Sequence, residues 1–212
     1  MRTVVFDLDG TLADTSADLL AAANACFDQP VLGPDDALTA FQGGRAMLRL
    51  AYQRLGVTGD LERDYPRLLA AYADGICVHT RLYPGVVASV EALRQQGFAT
   101  AICTNKPEGL AIELVRRLGI AGLFGALVGA DTLPVRKPDP APYRLAVTRV
   151  GGSRSMLVGD TDTDRQTGLA AGVPVALVTF GPEGHGVARL QPEALLHHFD
   201  DLADLAARLV PK

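Results

Sequence analysis

The sequence has few cysteines and no excess of basic residues, and each shortage excludes a class of protein. The three cysteines, Cys26, Cys77 and Cys103, are scattered and lack metal-ligand spacing, so we expect reduced thiols. Lys and Arg number 20 against 24 Asp and Glu, for a net charge of -4, and no Lys/Arg-rich run occurs, so we expect no nucleic-acid partner. No apolar run reaches membrane-spanning length, so we expect no membrane partner either.

The remaining composition is typical of a globular protein with an ample core. The chain has 212 residues, a hydrophobic content of 48% and a mean hydropathy of +0.16. This length suits one large domain, or a domain with a sizeable insertion. The N-terminus leads directly into a strand that carries Asp7. We therefore expect neither a secretory leader nor a transit peptide, and a cytoplasmic location.

The stretch Val4–Leu12, Val-Val-Phe-Asp-Leu-Asp-Gly-Thr-Leu, is the one around which the chain is organised. Its uncharged apolar start predicts a buried parallel strand. That strand delivers Asp7 and Asp9 at its C-terminal end, and Gly10 and Thr11 follow in a turn. In open α/β sheets ligands bind at the C-terminal ends of the strands. Taken alone, the same pattern also fits a strand that ends in an ordinary Asp-Gly turn.

The section between residues 15 and 80 reads as a helical insertion. Arg45–Leu55 and Leu61–Ile76 have amphipathic spacing, and nothing between residues 14 and 80 resembles a buried strand. We therefore assign residues 15–80 to a helical cap domain. Residues 1–14 and 81–212 are assigned to the core domain.

From Tyr83 onward, apolar strands alternate with helices. The predicted strands are Ala99–Cys103, Ala126–Val128, Ser155–Val158 and Val175–Val178, and a last helix covers Asp200–Val210. This alternation predicts an α/β fold with a Rossmann-like, mostly parallel sheet and helices on both faces.

Polar residues follow the C-terminal ends of several predicted strands. In a parallel sheet all of these ends lie on one edge, around one crevice. Each group alone could be a helix cap, a solvated turn or a surface lysine, but their coincidence at four strand ends favours a site. The groups are Asp7 and Asp9, Thr104 and Asn105, Lys137, and Asp160 with Asp162 and Asp164.

The chemistry available to such a set is narrow. Carboxylates without neighbouring histidine suit a hard divalent cation such as Mg²⁺, which binds few protein carboxylates together with water and substrate oxygens. A hydroxyl, an amide and an ammonium supply donors for phosphoryl oxygens, and phosphoryl transfer needs mainly positioning and charge neutralisation. One carboxylate can act as a nucleophile, and its neighbour can act as a general acid and base.

These residues resemble the four ordered motifs of the haloacid dehalogenase superfamily, and the segment Cys103–Gly172 resembles phosphoglycolate phosphatases. The resemblance covers nearly the whole chain, and the helical insertion is similar to the small cap of that superfamily. The motifs are Asp7-Leu8-Asp9-Gly10-Thr11-Leu12, Thr104-Asn105-Lys106, Lys137-Pro138, and Gly159-Asp160 with Asp164.

The resemblance implies a role for each motif residue. Asp7 is expected to be the nucleophile and a metal ligand, and Asp9 the general acid and base, whose main-chain carbonyl also touches Mg²⁺. Asp160 is expected to bind the metal directly, and Asp164 to support it through water or hydrogen bonds. The residues expected to hold the phosphoryl oxygens or neutralise charge are Thr104, Asn105 and Lys137.

Three further residues carry weaker expectations. Arg45, after Gly43 and Gly44, could reach a substrate carboxylate or second phosphate from the cap, or could be a solvated helix-start arginine. Lys106 is expected to be solvated or near the site entrance, and Asp162 to begin a helix, where the dipole favours it.

The leading functional hypothesis is a Mg²⁺-dependent phosphatase of a small phosphorylated metabolite, with 2-phosphoglycolate as the first candidate. A sugar phosphomutase of the β-phosphoglucomutase type shares the motifs and the cap and remains an alternative. A non-catalytic phospho-acceptor of the receiver type is more remote, because it lacks such an insertion. The carboxylate of Asp9 argues against a dehalogenase. Either a monomer or a homodimer is compatible with the sequence.

Overall fold

The computed structural model describes all 212 residues, and the chain divides into two compact units. The first, here called the core unit, consists of Met1–Ala13 and Leu82–Lys212. The second, the inserted unit, is Asp14–Arg81. The assignment of the inserted unit as a functional cap stays a prediction.

The core unit is built on a six-stranded sheet of parallel strands in the order β5-β4-β1-β6-β7-β8. Two short strands, β2 and β3, pair separately with each other. The strands are β1 (Arg2–Phe6), β2 (Ala13–Asp14), β3 (Arg81–Leu82), β4 (Ala99–Cys103), β5 (Ala126–Val128), β6 (Arg154–Gly159), β7 (Val175–Val178) and β8 (Ala194–Leu196).

Nine α-helices connect these strands or build the inserted unit. In the core unit the helices α5 to α8 alternate with the strands up to β7, as parallel pairing requires. A 3₁₀ segment over Gly184–Leu190 connects β7 to β8, and α9 follows β8. The helices are α1 (Ser16–Asn24), α2 (Ala37–Phe41), α3 (Gly44–Leu55), α4 (Leu61–Asp74), α5 (Val86–Gln95), α6 (Glu108–Arg117), α7 (Pro140–Arg149), α8 (Asp162–Ala171) and α9 (Leu202–Leu209). None of them combines the length and the apolar character that crossing a bilayer requires.

The central strand β1 explains why the sheet forms as it does. Val4, Val5 and Phe6 are completely buried, because helices cover both faces of a parallel sheet. Phe6 lies beside Ile102 of β4 on one side and beside Val158 of β6 on the other. This register brings the C-terminal ends of three neighbouring strands to the same level.

The inserted unit is held together by helix packing and by buried carboxylates, of which Asp64 is the most buried. Asp64 on α4 accepts hydrogen bonds from Tyr52 Oη (2.8 Å), Arg63 Nη2 (2.7 Å) and Arg67 Nη1 (2.8 Å). These donors offset the cost of burying the charge, and they hold the pKa of Asp64 well below its usual range, with the Arg63 hydrogen bond as the largest cause of the lowering.

The predicted α/β fold with a mostly parallel sheet is confirmed, but three strands were not predicted: β8 at the edge of the sheet and the two-residue strands β2 and β3. Strand β8 pairs in parallel with β7, with Leu195 beside Leu177. Its sequence, Ala-Leu-Leu, is too short to show a period, so only its pairing with β7 defines it as a strand. The final helix also begins later than expected, at Leu202, because a short 3₁₀ turn over Phe199–Asp201 precedes it.

Candidate active site

Four strand ends place the motif residues along one edge of the core sheet. Asp7 follows β1, Thr104 follows β4, and Asp160 follows β6. Lys137 lies in the loop between β5 and α7. The structure therefore brings together side chains that are far apart in the sequence, those of Asp7, Lys137, Asp160 and Asp164.

Asp7 sits where β1 leaves the sheet. Its amide donates to the carbonyl of Val158 (2.9 Å), which extends the strand pairing by one residue and orients the side chain. One carboxylate oxygen, Oδ1, accepts from the amide of Leu8 (2.7 Å), and the other, Oδ2, lies 3.0 Å from Lys137 Nζ. Burial raises the pKa of Asp7 to about 7, although the Lys137 ammonium opposes the rise.

Lys137 is an ammonium buried between two carboxylates. Its side chain is 1% exposed, and Nζ lies 2.7 Å from Asp164 Oδ1 as well as 3.0 Å from Asp7 Oδ2. Burial alone would lower the pKa of Lys137, but the two carboxylates raise it well above its ordinary value. The amide of Asn105 donates to the Lys137 carbonyl (3.0 Å) and so anchors the loop that carries the lysine.

Asp160 has one satisfied oxygen and one without a partner. Its Oδ1 accepts a hydrogen bond from Thr11 Oγ1 (2.8 Å), whereas Oδ2 is buried with no hydrogen-bond partner. Burial, followed by repulsion from Asp164 and Asp7, raises the pKa of Asp160 well above its ordinary value. A Cβ atom at Gly10 would lie 2.2 Å from Asp160 Oδ2, so only glycine, here at φ +78°, allows this approach.

Asp164, at the start of α8, uses both oxygens as acceptors. Oδ1 accepts from Lys137, and Oδ2 accepts from the amides of Asp160 and Thr161 (3.2 Å each) and from Thr161 Oγ1 (3.0 Å). Asp164 therefore ties the end of β6 to the first turn of α8. It also fixes the position of the buried lysine.

The carboxylates fit a divalent cation. One oxygen from each of Asp7, Asp160 and Asp164 lies within 4.8 Å of the other two. The unpartnered buried oxygen on Asp160 and the raised pKa values of Asp7 and Asp160 indicate a site that a bound cation would complete, since the cation would supply the compensating positive charge. A set made only of oxygen ligands suits a hard cation.

Thr104 and Asn105 lie at the end of β4. The buried Thr104 hydroxyl accepts from the amide of Lys106 (3.2 Å), which leaves its own hydrogen available for donation. Asn105 is exposed, and its side-chain amide already bonds the loop of Lys137. That bond uses only the side-chain NH₂ of Asn105, so it does not involve the side-chain oxygen or the main-chain amide.

The expectation that Lys106 is solvated or at the entrance was wrong. The Lys106 side chain is 4% exposed, and its Nζ lies 3.1 Å from Asp9 Oδ1. The carboxylate makes the burial of this ammonium tolerable, because a buried charge needs a partner. The motif gave no local sign of the contact, since residues 9 and 106 belong to different strand ends.

Arg45 lies in the inserted unit, on the first turn of α3. Its guanidinium stacks on the ring of Tyr65 at 4.0 Å and lies 3.5 Å from the exposed carboxylate of Glu62. The side chain is 38% exposed, so its charge remains accessible. Its role in substrate binding stays a prediction.

The sequence predicted the acidic residues of the site but not the side chains that bond to them. The hydroxyls of Thr11 and Thr161 and the buried Lys106 all bond acidic motif residues. Thr11 and Thr161 each lie within two residues of a motif aspartate, and that proximity was the available signal.

Comparison with known proteins places the chain in a family. Residues 4–178 match the family model described as haloacid dehalogenase-like hydrolase. A phosphoglycolate phosphatase of Mesorhizobium japonicum is 38% identical over 218 residues, which cover 98% of this chain and 96% of the relative.

Solved structures show the same relationship. A predicted phosphoglycolate phosphatase from Haemophilus somnus 129PT has a TM-score of 0.83 at 26% identity, covering 96% of each chain. A putative β-phosphoglucomutase from Thermotoga maritima shares the fold, with a TM-score of 0.77 at 21% identity, covering 99% of this chain and 100% of the other. With its sheet, its strand-end carboxylates and its buried lysine, this chain belongs to the haloacid dehalogenase-like hydrolase family.

Proposed function

We propose that this protein is a Mg²⁺-dependent phosphomonoester hydrolase that acts through an aspartyl-phosphate, with 2-phosphoglycolate as the substrate. The observation that carries the proposal is the cluster of Asp7, Lys137, Asp160 and Asp164, in which an ammonium and an unpartnered carboxylate oxygen flank a candidate nucleophile. Such a cluster offers a nucleophile, a compensating charge and a cation site within a few ångströms.

In the first step, a carboxylate oxygen of Asp7 attacks phosphorus. The new bond joins Asp7 to phosphorus, and the ester bond to the leaving oxygen breaks. Asp9 gives its proton to that oxygen, so that the alcohol leaves neutral. Lys137, 3.0 Å from Asp7, neutralises the charge that nucleophile and phosphoryl group bring together.

In the second step, a water molecule attacks phosphorus of the aspartyl-phosphate. Asp9, now a carboxylate, accepts the proton of the water, and the bond between phosphorus and Asp7 breaks. The Thr104 hydroxyl hydrogen and the Asn105 main-chain amide lie at the end of the neighbouring strand β4 and would donate to phosphoryl oxygens.

Asp7, Asp160 and the main-chain carbonyl of Asp9 would hold Mg²⁺, with Asp164 supporting the site from behind. The bound cation supplies charge neutralisation for the phosphoryl oxygens. Asp164 acts through its contacts to Lys137 and to the amides of Asp160 and Thr161.

The identity of the substrate draws support from the relative in Mesorhizobium japonicum, which is named a phosphoglycolate phosphatase and matches almost the full chain. The glycolate part of that substrate carries a carboxylate. Arg45 offers an accessible guanidinium, already held by Tyr65, that suits a carboxylate. We therefore assign Arg45 to recognition of the substrate carboxylate.

The test measures release of inorganic phosphate from 2-phosphoglycolate, from p-nitrophenyl phosphate and from hexose phosphates, with and without Mg²⁺. We expect the highest kcat/KM for 2-phosphoglycolate, no turnover with EDTA, and no turnover by Asp7→Asn on any substrate. An active Asp7→Asn variant that remains folded would remove the nucleophile assignment. Conversion of a hexose 1-phosphate to the 6-phosphate without free phosphate would instead identify a phosphomutase.

A separate measurement addresses Arg45. Arg45→Met should raise KM for 2-phosphoglycolate and leave kcat/KM for p-nitrophenyl phosphate nearly unchanged, because the latter has no carboxylate. Arg49→Met, on the same helix, is the matched control. Equal losses on both substrates would reject a role for Arg45 in carboxylate recognition and would leave the phosphatase chemistry untouched.

A further inference from the structure

The site contains a second buried lysine that the family chemistry described above does not use. Lys106 Nζ lies 3.1 Å from Asp9 Oδ1, just as Lys137 Nζ lies 3.0 Å from Asp7 Oδ2. Each of the two catalytic carboxylates therefore has its own ammonium. The Lys106 side chain is 4% exposed, and that of Asp9 is 17% exposed.

The backbone of Lys106 is anchored on both sides. Its amide donates to Thr104 Oγ1 (3.2 Å), and its carbonyl accepts from the amide of Ala130 (2.9 Å) in the loop after β5. The loop is in turn packed closely on the start of α6, since a Cβ at Gly129 would lie 2.4 Å from Glu108 Cα. These contacts leave the Lys106 backbone little freedom to move.

The Asp9 carboxylate needs a fixed contact that holds its orientation. It follows Leu8 where the chain leaves β1, and its turn is closed by the amide of Gly10 donating to the carbonyl of Ala13 (2.9 Å). A carboxylate that serves a leaving oxygen and then a water molecule must keep one direction through both steps. A misplacement of about 1 Å can cost roughly 100-fold in rate.

We propose that Lys106 is a positioning residue that orients the Asp9 carboxylate toward the leaving-group oxygen. The inference deepens the proposed function and rests on it for the role of Asp9. In this role Lys106 acts through Asp9, whose carboxylate its ammonium contacts at 3.1 Å. The strand end of β4 therefore supplies a phosphoryl contact at Thr104 and an acid-orienting contact two residues later.

If Lys106 positions Asp9, its loss should affect alkyl and aryl phosphate esters differently, whereas a general loss of protein stability would affect both equally. Protonation matters most for a poor leaving group, such as the alkoxide of an alkyl phosphate, and least for p-nitrophenolate. Because kcat/KM reports the steps up to the first irreversible one, it isolates leaving-group departure from later hydrolysis.

The experiment compares Lys106→Met with wild type on 2-phosphoglycolate and on p-nitrophenyl phosphate, each with saturating Mg²⁺. We expect kcat/KM to fall about 10-fold or more for the alkyl ester and about 3-fold or less for the aryl ester, a fraction of the ~10²–10⁴ that general acid catalysis contributes. Lys106→Arg, which keeps the charge, should restore most of the alkyl activity. Arg116→Met, on the exposed face of α6, is the control for loss of one positive charge.

A double-mutant cycle with Asp9→Asn separates the inference from the proposed function. If Lys106 acts through Asp9, Lys106→Met should cause less than about a 2-fold further loss in the Asp9→Asn background. A full further loss there, or equal losses on both esters, would overturn the proposal for Lys106. A fully active Asp9→Asn variant would instead overturn the role of Asp9 in the proposed function.

A crystal structure of Lys106→Met supplies a readout that does not depend on turnover. We expect the Asp9 carboxylate to leave its wild-type position while Asp7, Asp160 and Lys137 keep theirs. An unmoved Asp9 would overturn the proposal. If Lys106→Met does not fold, Lys106→Gln takes its place and is judged by the same ratio of alkyl to aryl kcat/KM, and a uniform loss on both esters would overturn the proposal.

Discussion

Thr11 Oγ1 donates a 2.8 Å hydrogen bond to Asp160 Oδ1, across 149 residues of sequence. Both residues are buried, and the bond joins the turn after β1 to the end of β6. It leaves Asp160 Oδ2 as the oxygen free to bind a cation. The threonine therefore orients the carboxylate that we propose as a metal ligand.

Replacing Thr11 with valine should weaken cation binding. The variant keeps the shape of the side chain but removes the donor that orients Asp160, and losses of such supporting hydrogen bonds typically cost about 10–100-fold in metal affinity. Mg²⁺ titration of activity measures the effect. Thr148→Val, which removes an exposed hydroxyl bonded to the Arg144 carbonyl, should leave the Mg²⁺ dependence unchanged. An unaltered Mg²⁺ dependence in Thr11→Val would contradict this assignment.

Asp160→Asn should increase the thermal stability of the metal-free protein and abolish its activity. Burial raises the pKa of Asp160 well above its ordinary value, so the charged form is costly in the metal-free protein. The neutral amide should therefore raise the Tm of the metal-free protein at pH 8, while abolishing both turnover and the rise in Tm that Mg²⁺ causes. Thermal unfolding with and without Mg²⁺ measures both effects. A Mg²⁺-dependent Tm in this variant would exclude Asp160 as a ligand.

The stability of the metal-free protein should fall as pH rises from about 4 to about 7. Asp7 has a folded pKa raised to about 7 from 3.8, so its contribution is fully present below the unfolded pKa and is lost as pH rises through the folded value. The size is on the order of 1–4 kcal/mol. A carboxylate with a lowered pKa, such as Asp64, contributes stability that is lost as pH falls below the unfolded pKa toward the folded one, so its slope opposes that of Asp7 near pH 4 and becomes negligible as pH rises toward 7.

Chemical unfolding at several pH values, with EDTA, tests this dependence. Mg²⁺ should reduce the loss, because it binds the charged carboxylates. The slope should also be smaller in Asp160→Asn than in wild type, since that variant lacks one of the groups with a raised pKa. Equal slopes with and without Mg²⁺ would contradict the prediction.

Lys137→Met should destabilise the fold as well as the reaction. The variant leaves Asp7 and Asp164 buried without their ammonium, and breaking a buried ion pair in this way costs about 3–5 kcal/mol. Loss of the positive charge beside the nucleophile should lower kcat by roughly 10²–10³-fold. Urea unfolding and steady-state kinetics measure the two effects. Arg117→Met, from an exposed pair with Glu113, should leave the free energy of unfolding nearly unchanged.

Most strands of the core could be predicted from the sequence, because each is marked by a short run of apolar residues. The strands Ala99–Cys103, Ala126–Val128 and Val175–Val178 have the bounds that their apolar runs predict. A strand buried on both faces consists almost entirely of apolar residues, and these runs are easy to delimit because glycines and polar turns flank them. Strand β8 is as short as β5 but was not predicted, because no α-helical segment lies between β7 and β8 and the strand–helix alternation therefore did not indicate it.

The meeting of the motif residues could be predicted for a different reason. Strand alternation implies a parallel sheet, and a parallel sheet gathers its strand ends on one edge. The prediction that Asp7, Lys137, Asp160 and Asp164 meet therefore followed from the order of elements alone. Their catalytic roles stay predictions, as does the role of Arg45.

The sequence by itself determined the α/β class, the helical insertion and which acids reach the edge of the sheet, because period, turn residues and strand order are properties of short segments. Only the tertiary structure decided which partner each charged group takes. Lys106 could not be assigned to Asp9, nor Thr11 to Asp160, from spacing. These pairings depend on the register of neighbouring strands, which brings residues about 100 or more positions apart to within hydrogen-bond distance.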